Sequence, residues 1–415
     1  MKKLQEFEKN SMILFVLLMG ANVCNYLFQI IIGNLMSVTD YGVVNTMLGV
    51  VGVLSIPTTI ITMICARYIA LYNTNKDMDG IMSTLKFLLK FVILVSFLLF
   101  FAGMASIKKI SYILGLDTNV YIFGSLCIAV VNLFFSVTSG SLQGLKLFLP
   151  YGIQTIMVAA GKLLLSIGLI VIGWRVYGVL FAIFSGTVLS ILYGVNCVKK
   201  YIGDVAYDKN QQIDIREFLK YAVAAIVAQG CVIAITNGDV LLVKIYFSDV
   251  ETGIYSSASV IGKIAMYVST AVVAALFPLV VEKNQKGEDT FPLFKKALFY
   301  GGGISVVSGI GMSLLGKYVI SILFGERYQD AVRYLPYVCM FVVPLTFVTI
   351  FMNYVLAINK IKLFGISIAF GLVGIINLSL VMHEEVAYLM MLCGIVLSAV
   401  FICNIIWLMK DKKRR

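Results

Sequence analysis

The sequence predicts an all-α integral membrane protein of twelve transmembrane helices, arranged as two six-helix lobes related by an internal repeat. Two observations carry the prediction. Apolar runs of membrane-spanning length fill the chain from about residue 11 to residue 409, and landmarks of the first half return about 210 residues later in the second. Composition agrees: 60% of the residues are hydrophobic and 13% charged, with a mean hydropathy of +0.97, whereas soluble domains carry roughly 25% charged residues.

A helix crosses a hydrocarbon core about 30 Å thick with about 20 apolar residues, and the runs can be taken in order. The first, 11–32, follows Lys9 and holds Asn22, Asn25 and Gln29. It is too long for a cleaved leader and has no small-residue cleavage site, so it reads as the first helix of the bundle. The second, 43–66, follows the turn SVTDYG and contains Pro57; the third and fourth, 87–106 and 120–139, flank the turn ISYILG. After the basic connector GLKLF comes the fifth, 151–172, with Lys162 near its middle, and the sixth, 176–197, completes an N-terminal lobe over 1–200. A cytoplasmic linker is expected over 201–217, within the longest connector, Val198 to Phe218. The C-terminal lobe, 218–415, opens with the seventh run, 219–241, which has Asp239 near its end, and the eighth, 254–281, which carries Lys263. The ninth, 298–316, precedes ISILFG, and the tenth, 334–357, holds Thr346, Thr349 and Asn353. The eleventh, 363–382, follows NKIKLF, and the twelfth, 386–409, closes the lobe. These runs lack the ten-residue alternation of membrane β-strands, which excludes a barrel.

The repeat is legible letter by letter. Aligning SVTDYGVVNT (Ser37 to Thr46) with SDVETGIYSS (Ser248 to Ser257) pairs Ser37 with Ser248, Asp40 with Glu251, Gly42 with Gly253 and Thr46 with Ser257. ISYILG (Ile110 to Gly115) meets ISILFG (Ile320 to Gly325), and GLKLF meets NKIKLF with Lys146 opposite Lys362, a shift of 216. Each landmark follows the same number of apolar runs. Repeats of this kind build many transporters as two halves around a central site.

Cations set the orientation, because cytoplasmic loops collect Lys and Arg. With the N-terminus inside, the inner segments hold 24 of the 33 basic residues and the outer segments 7, so both termini are predicted to be cytoplasmic. The same asymmetry accounts for the +12 net charge. Attraction to anionic headgroups of the inner leaflet explains it, and no nucleic-acid partner is expected.

No catalytic constellation emerges, and the chain is expected not to be an enzyme. The single histidine, His383, lies in the MHEE turn and reads as a solvated loop residue, and no GxSxG, HExxH or phosphate-binding GxxxxGK[ST] occurs. The eight cysteines stand singly, with no CxxC pair or Cys/His spacing for a metal, and read as small apolar packers. Neither a metal nor a cofactor is expected.

Function then rests on polar residues inside the spans. A charge at the bilayer centre costs about 2.5–3.5 kcal/mol on insertion scales, so such residues face water or a partner. Lys162 shares a helix face with Thr155 and Ser166, and Lys263 is expected to share one with Ser256, Tyr267 and Thr270. With the stripe Asn22, Asn25 and Gln29 in the first span and Asn353 below Thr346 and Thr349 in the tenth, they are candidates for lining one cavity. The two lysines either snorkel or sit in structural ion pairs, or they are cavity cations suited to an anion such as a phosphate. Asp239 pairs with nearby Lys244 as a helix-end carboxylate, or serves as a cation or proton site, or holds Lys263 in place.

The run from Asn34 to Ala70, with Asp40, Tyr41, Gly42 and Arg67, resembles the first hairpin of the oligosaccharide flippases of the polysaccharide-transporter group. The likeness continues in order through LQGLKLF (Leu142 to Phe148), GDVLLVKIYFSDVETGIYSSA (Gly238 to Ala258), AALFPLV (Ala274 to Val280) and LFGERY (Leu323 to Tyr328). The resemblance implies a two-lobed bundle related to multidrug and toxin extrusion transporters, within the multidrug, oligosaccharidyl-lipid and polysaccharide exporter superfamily. It also implies a V-shaped cavity that opens alternately to each side of a bacterial cytoplasmic membrane. Its cargo would be an undecaprenyl-pyrophosphate-linked sugar unit for capsule, exopolysaccharide or O-antigen synthesis, with Lys162 and Lys263 as the cavity cations. Implied partners are the lipid-linked oligosaccharide, membrane lipids, and a polysaccharide polymerase with glycosyltransferases. Many relatives carry arginines in lumen-facing helices, whereas Arg67 here lies at a helix end. The competing readings are a cation-coupled multidrug exporter, a flippase for the peptidoglycan precursor and a non-transporting scaffold.

Overall fold

The structure is a computed structural model that describes residues 2–203 and 215–413, and within them the side chains outside 2–12, 215–225, 270–278 and 411–413. Every regular element among the described residues is helical. The chain divides into two compact units, Met1–Leu219 and Lys220–Arg415. Residues 204–214 of the expected linker lie outside the described residues.

In the first unit, α1 (Lys2–Leu35) is followed by α2 (Val38–Leu54), α3 (Ile56–Thr74), α4 (Met78–Ile113), α5 (Val120–Gly144), α6 (Phe148–Val171) and α7 (Arg175–Ile202). The second span of the sequence is α2 and α3 together, bent by 46° at their junction. The cause is local: Pro57 in the first turn of α3 has no N–H to continue the helix, and the Thr58 hydroxyl donates to the Ser55 carbonyl at 2.6 Å. Close packing sets the rest. A Cβ on Gly140 of α5 would lie 2.6 Å from the Thr62 carbonyl oxygen of α3, and one on Gly144 would lie 2.8 Å from that of Ala66. Gln154 of α6 ties three helices, its amide donating to Thr138 Oγ1 of α5 at 2.7 Å and to the Ser190 carbonyl of α7 at 3.3 Å. The opposite character appears on α4, where Leu89, Ile93, Leu94, Phe97, Leu98 and Phe101 are exposed. Such a face suits the lipid tails that the apolar length of α4 predicts around it.

The second unit contains α8 (Ile215–Tyr246), α9 (Asp249–Gln285), α10 (Phe291–Ala297), a π-helical turn (298–302) leading into α11 (Gly303–Leu323), a 3₁₀ segment (326–334), α12 (Leu335–Ala357), α13 (Ile361–Ser379) and α14 (Val386–Lys413). Helix α12 is its core, packed against α9, α11 and α14. Pro344 lies inside α12, which continues past it. Helix α9 runs unbroken through Pro278, unlike its repeat counterpart α2 and α3.

All twelve expected spans fall on these helices. Among the described residues ten helices are long and apolar enough to cross a membrane, and the bent α2–α3 pair adds an eleventh. The remaining expected span, the eighth, lies in α9, whose central side chains are outside the described set.

The repeat extends to the turns. Ser37 and Ser248 both cap a helix, their hydroxyls accepting from the Asp40 and Glu251 amides at 3.0 and 3.3 Å. Left-handed residues then recur at matching corners: Lys76 and Gly287, Gly115 and Gly325, Lys146 and Asn359. The last pair corrects the alignment of the basic connector. Asn359, not Lys362, stands where Lys146 stands, each two residues before its helix, so the shift is 213 rather than 216.

Candidate functional site

The densest buried polar cluster named by the sequence candidates lies in the second unit. Asp239 sits on α8 two turns before the helix ends at Tyr246, and its side chain keeps no exposed surface. Lys263 of α9 places its Nζ 2.8 Å from both carboxylate oxygens. Ser259 donates to Oδ2 at 2.7 Å and Tyr255 to the same oxygen at 3.0 Å. The Tyr255 hydroxyl also lies 2.9 Å from the Met390 sulfur of α14. A buried ion pair holds together only when its remaining hydrogen-bonding capacity is met, and the two hydroxyls meet it here.

This geometry bears on the readings of Asp239, since Lys263 reaches both of its carboxylate oxygens. The pairing with Lys244 is wrong, because Lys244 is itself buried and pairs with Asp249 at the start of α9. The stripe expected for Lys263 is also corrected. Ser256 donates to the Thr252 carbonyl of its own helix, while Tyr255 and Ser259, eight and four residues before Lys263, share its partner.

In the first unit Lys162 lies on α6 against α1, its Nζ 4.5 Å from the centre of the Phe28 ring. Among the described residues no carboxylate reaches it. Phe28 is fully buried, and a cation above an aromatic face is held by the ring quadrupole. One turn on, Ser166 is fully buried and its hydroxyl finds no partner among the described residues. The α1 stripe is less uniform than expected: Asn22 is exposed and Asn25 half-buried, while Gln29 accepts from the Tyr41 hydroxyl of α2 at 3.3 Å. Asn353 of α12 donates to the Thr349 carbonyl at 2.9 Å, and Thr349 and Thr346 turn back to their own helix in the same way. Thr346 also accepts from Ser305 of α11 at 3.1 Å.

His383 is packed rather than loosely solvated. Its ring stacks on Tyr246 at 4.3 Å, and Nδ1 lies 2.9 Å from the Ser379 carbonyl. Among the described residues no three His, Cys, Asp or Glu side chains gather as a metal site would require. A cleft of about 280 Å³ opens in the first unit between the ends of α1, α2, α6 and α7, lined in part by Ser37, Asp40 and Arg175. None of the candidate residues lines it. At the far end of α9 from the membrane entry of the eighth span, Lys286 holds the Glu282 carboxyl below its usual range across a 2.6 Å contact.

A family model described as "polysaccharide biosynthesis protein" matches residues 7–284. The chain belongs to that family. No curated protein matches this family member in sequence. Its fold is that of MATE transporters. It superposes on the inward-facing conformation of a multidrug resistance MATE transporter of the MOP superfamily with a TM-score of 0.69, covering 93% of each chain at 13% identity. An outward-facing conformation from the same superfamily gives 0.65, with 96% of this chain and 93% of that one covered at 15% identity. A MATE structure in complex with MaD5 gives 0.64 at 14% identity, over 96% and 93%. Within this family member, sequence reasoning missed Ser259 and Tyr255 as site residues. The signal was present: Glu251, Tyr255, Ser259, Lys263 and Tyr267 recur every fourth residue along α9.

Proposed function

We propose that the protein is a flippase that carries a polyprenyl-pyrophosphate-linked oligosaccharide from the inner to the outer leaflet of a bacterial cytoplasmic membrane, by alternating access, for capsule, exopolysaccharide or O-antigen synthesis. The family match over residues 7–284 carries the reading. The MATE-like fold supports it, since such bundles move solutes rather than transform them. Lys162 supports the substrate class: a membrane-embedded ammonium without a carboxylate partner among the described residues is matched to an anion. Lys263 is the second cation of the reading, and Asn22, Asn25, Gln29 and Asn353 are the groups proposed to meet sugar hydroxyls. The multidrug-exporter reading needs an embedded carboxylate free to meet an organic cation, and Asp239 is occupied by Lys263.

The test is translocation in proteoliposomes that hold the purified protein and a lipid-linked oligosaccharide, scored by an external glycan-modifying enzyme. Wild type is expected to expose the glycan, and a folded Lys162→Ala/Lys263→Ala variant to lose most of the transfer. Failure to move any polyprenyl-linked glycan, together with gradient-driven efflux of an organic cation, would overturn the proposal in favour of an exporter.

A further inference from the structure

Residues 251, 255, 259, 263 and 267 fall every fourth position on α9 and therefore lie along one stripe of that helix. The outer end of the stripe is tied down, since Glu251 accepts from the Tyr334 hydroxyl at 2.6 Å with Arg333 3.6 Å away. Its middle faces Asp239, which takes Tyr255, Ser259 and Lys263 at once. The two charges differ in access. The carboxylate side chain keeps none of its surface, whereas Lys263 keeps 13% of its own.

We propose that Asp239 is the internal competitor of the anionic cargo, so that the cargo's diphosphate binds by drawing the Lys263 ammonium away from it. This rests on the flippase reading and adds a coupling step to it. Once Lys263 turns to the anion, Asp239 is left with two hydroxyl donors in a site closed to water. A carboxylate so placed takes a proton from solvent, forming one O–H bond on a carboxylate oxygen. The proton leaves when cargo departs and Lys263 returns. Cargo and proton thereby bind together at separate atoms, and each helps the other. Among the described residues the titratable groups that face Asp239 are Tyr255, Lys263 and Tyr267 from α9 and Cys393 from α14. Tyrosine and cysteine are ordinarily neutral at pH 7, which leaves Asp239 as the group whose proton count changes.

The experiment is calorimetric titration of the full chain in detergent with P1,P2-dimethyl pyrophosphate, a diester like the cargo's linkage that does not titrate near neutral pH. Buffers of different ionisation enthalpy count the protons exchanged. Wild type is expected to take up a proton on binding. Asp239→Asn is expected to bind about tenfold tighter or more, the scale of close charge-pair couplings, and to take up none. Binding to wild type without proton uptake overturns the proposal, as does a folded Asp239→Asn that binds no tighter. If that variant does not fold, the proton count on wild type decides alone. If Lys263→Gln binds as well as wild type while Lys162→Gln does not, the competition falls and the flippase reading stands. No binding by wild type or any variant would sink both.

Discussion

Asp239 makes contact with three donors and its side chain keeps no exposed surface, so each partner matters through the others. Removing Lys263 alone leaves a buried, uncompensated carboxylate, which costs about 3–5 kcal/mol, whereas replacing both members of such a pair by apolar residues is close to neutral. Lys263→Met is therefore expected to lower the unfolding temperature in detergent sharply, and Asp239→Leu/Lys263→Met to recover most of it; a double variant as unstable as the single one would contradict the pairing. Tyr255→Phe removes one hydroxyl donor and is expected to cost about 1 kcal/mol on the same measurement. The sequence shows the two charges because a charge within an apolar run is costly. It does not show that they meet. They lie 24 residues apart on separate helices, and which face α9 turns to Asp239 is set by its packing against α12 and its contact with Met390 of α14 rather than by any local period. The same reason explains the choice of Ser256 over Ser259. Both fall near Lys263 on a helical wheel, and only the rotation of α9 tells them apart.

Helices α2 and α9 begin alike, with a serine cap and an acid in the first turn. Loss of either cap, in Ser37→Ala or Ser248→Ala, is expected to cost about 1 kcal/mol, read by thermal unfolding. The junction of α3 and α5 responds more strongly. Gly140→Ala sets a Cβ 2.6 Å from a backbone oxygen that cannot rotate away, and overpacking of this kind typically costs about 1–3 kcal/mol. At this scale much was legible. Span positions follow from composition, the helix starts from Ser37 and Ser248, and two of the corners from Gly115 and Gly325. The corner at Lys146 was not, because a lysine in a left-handed turn leaves no mark of its own on the sequence. Matching letters placed Lys362 there instead of Asn359. The bend at Pro57 and the straight run of α9 through Pro278 show that proline in an apolar segment does not by itself decide between a break and a helix.

Across the whole molecule the apolar runs, the repeat and the loop cations lead to one architecture, and family membership agrees with the motifs that suggested it. The even number of spans and the loop charges predict that both termini face the cytoplasm. Impermeant labelling of single cysteines beside Met1 and Arg415, in intact cells and in inverted vesicles, is expected to mark both only in the inverted vesicles; labelling of one terminus in intact cells would refute the topology. The Asp239–Lys263 contact bears, finally, on how the chain is made. Alone, α8 would bring a bare carboxylate into lipid and α9 a bare ammonium, each at about 2.5–3.5 kcal/mol; paired, they enter as a neutral hairpin. Biosynthesis should therefore hold α8 at the insertion channel until α9 has emerged from the ribosome, and nascent chains truncated before Lys263 should still cross-link to that channel through α8.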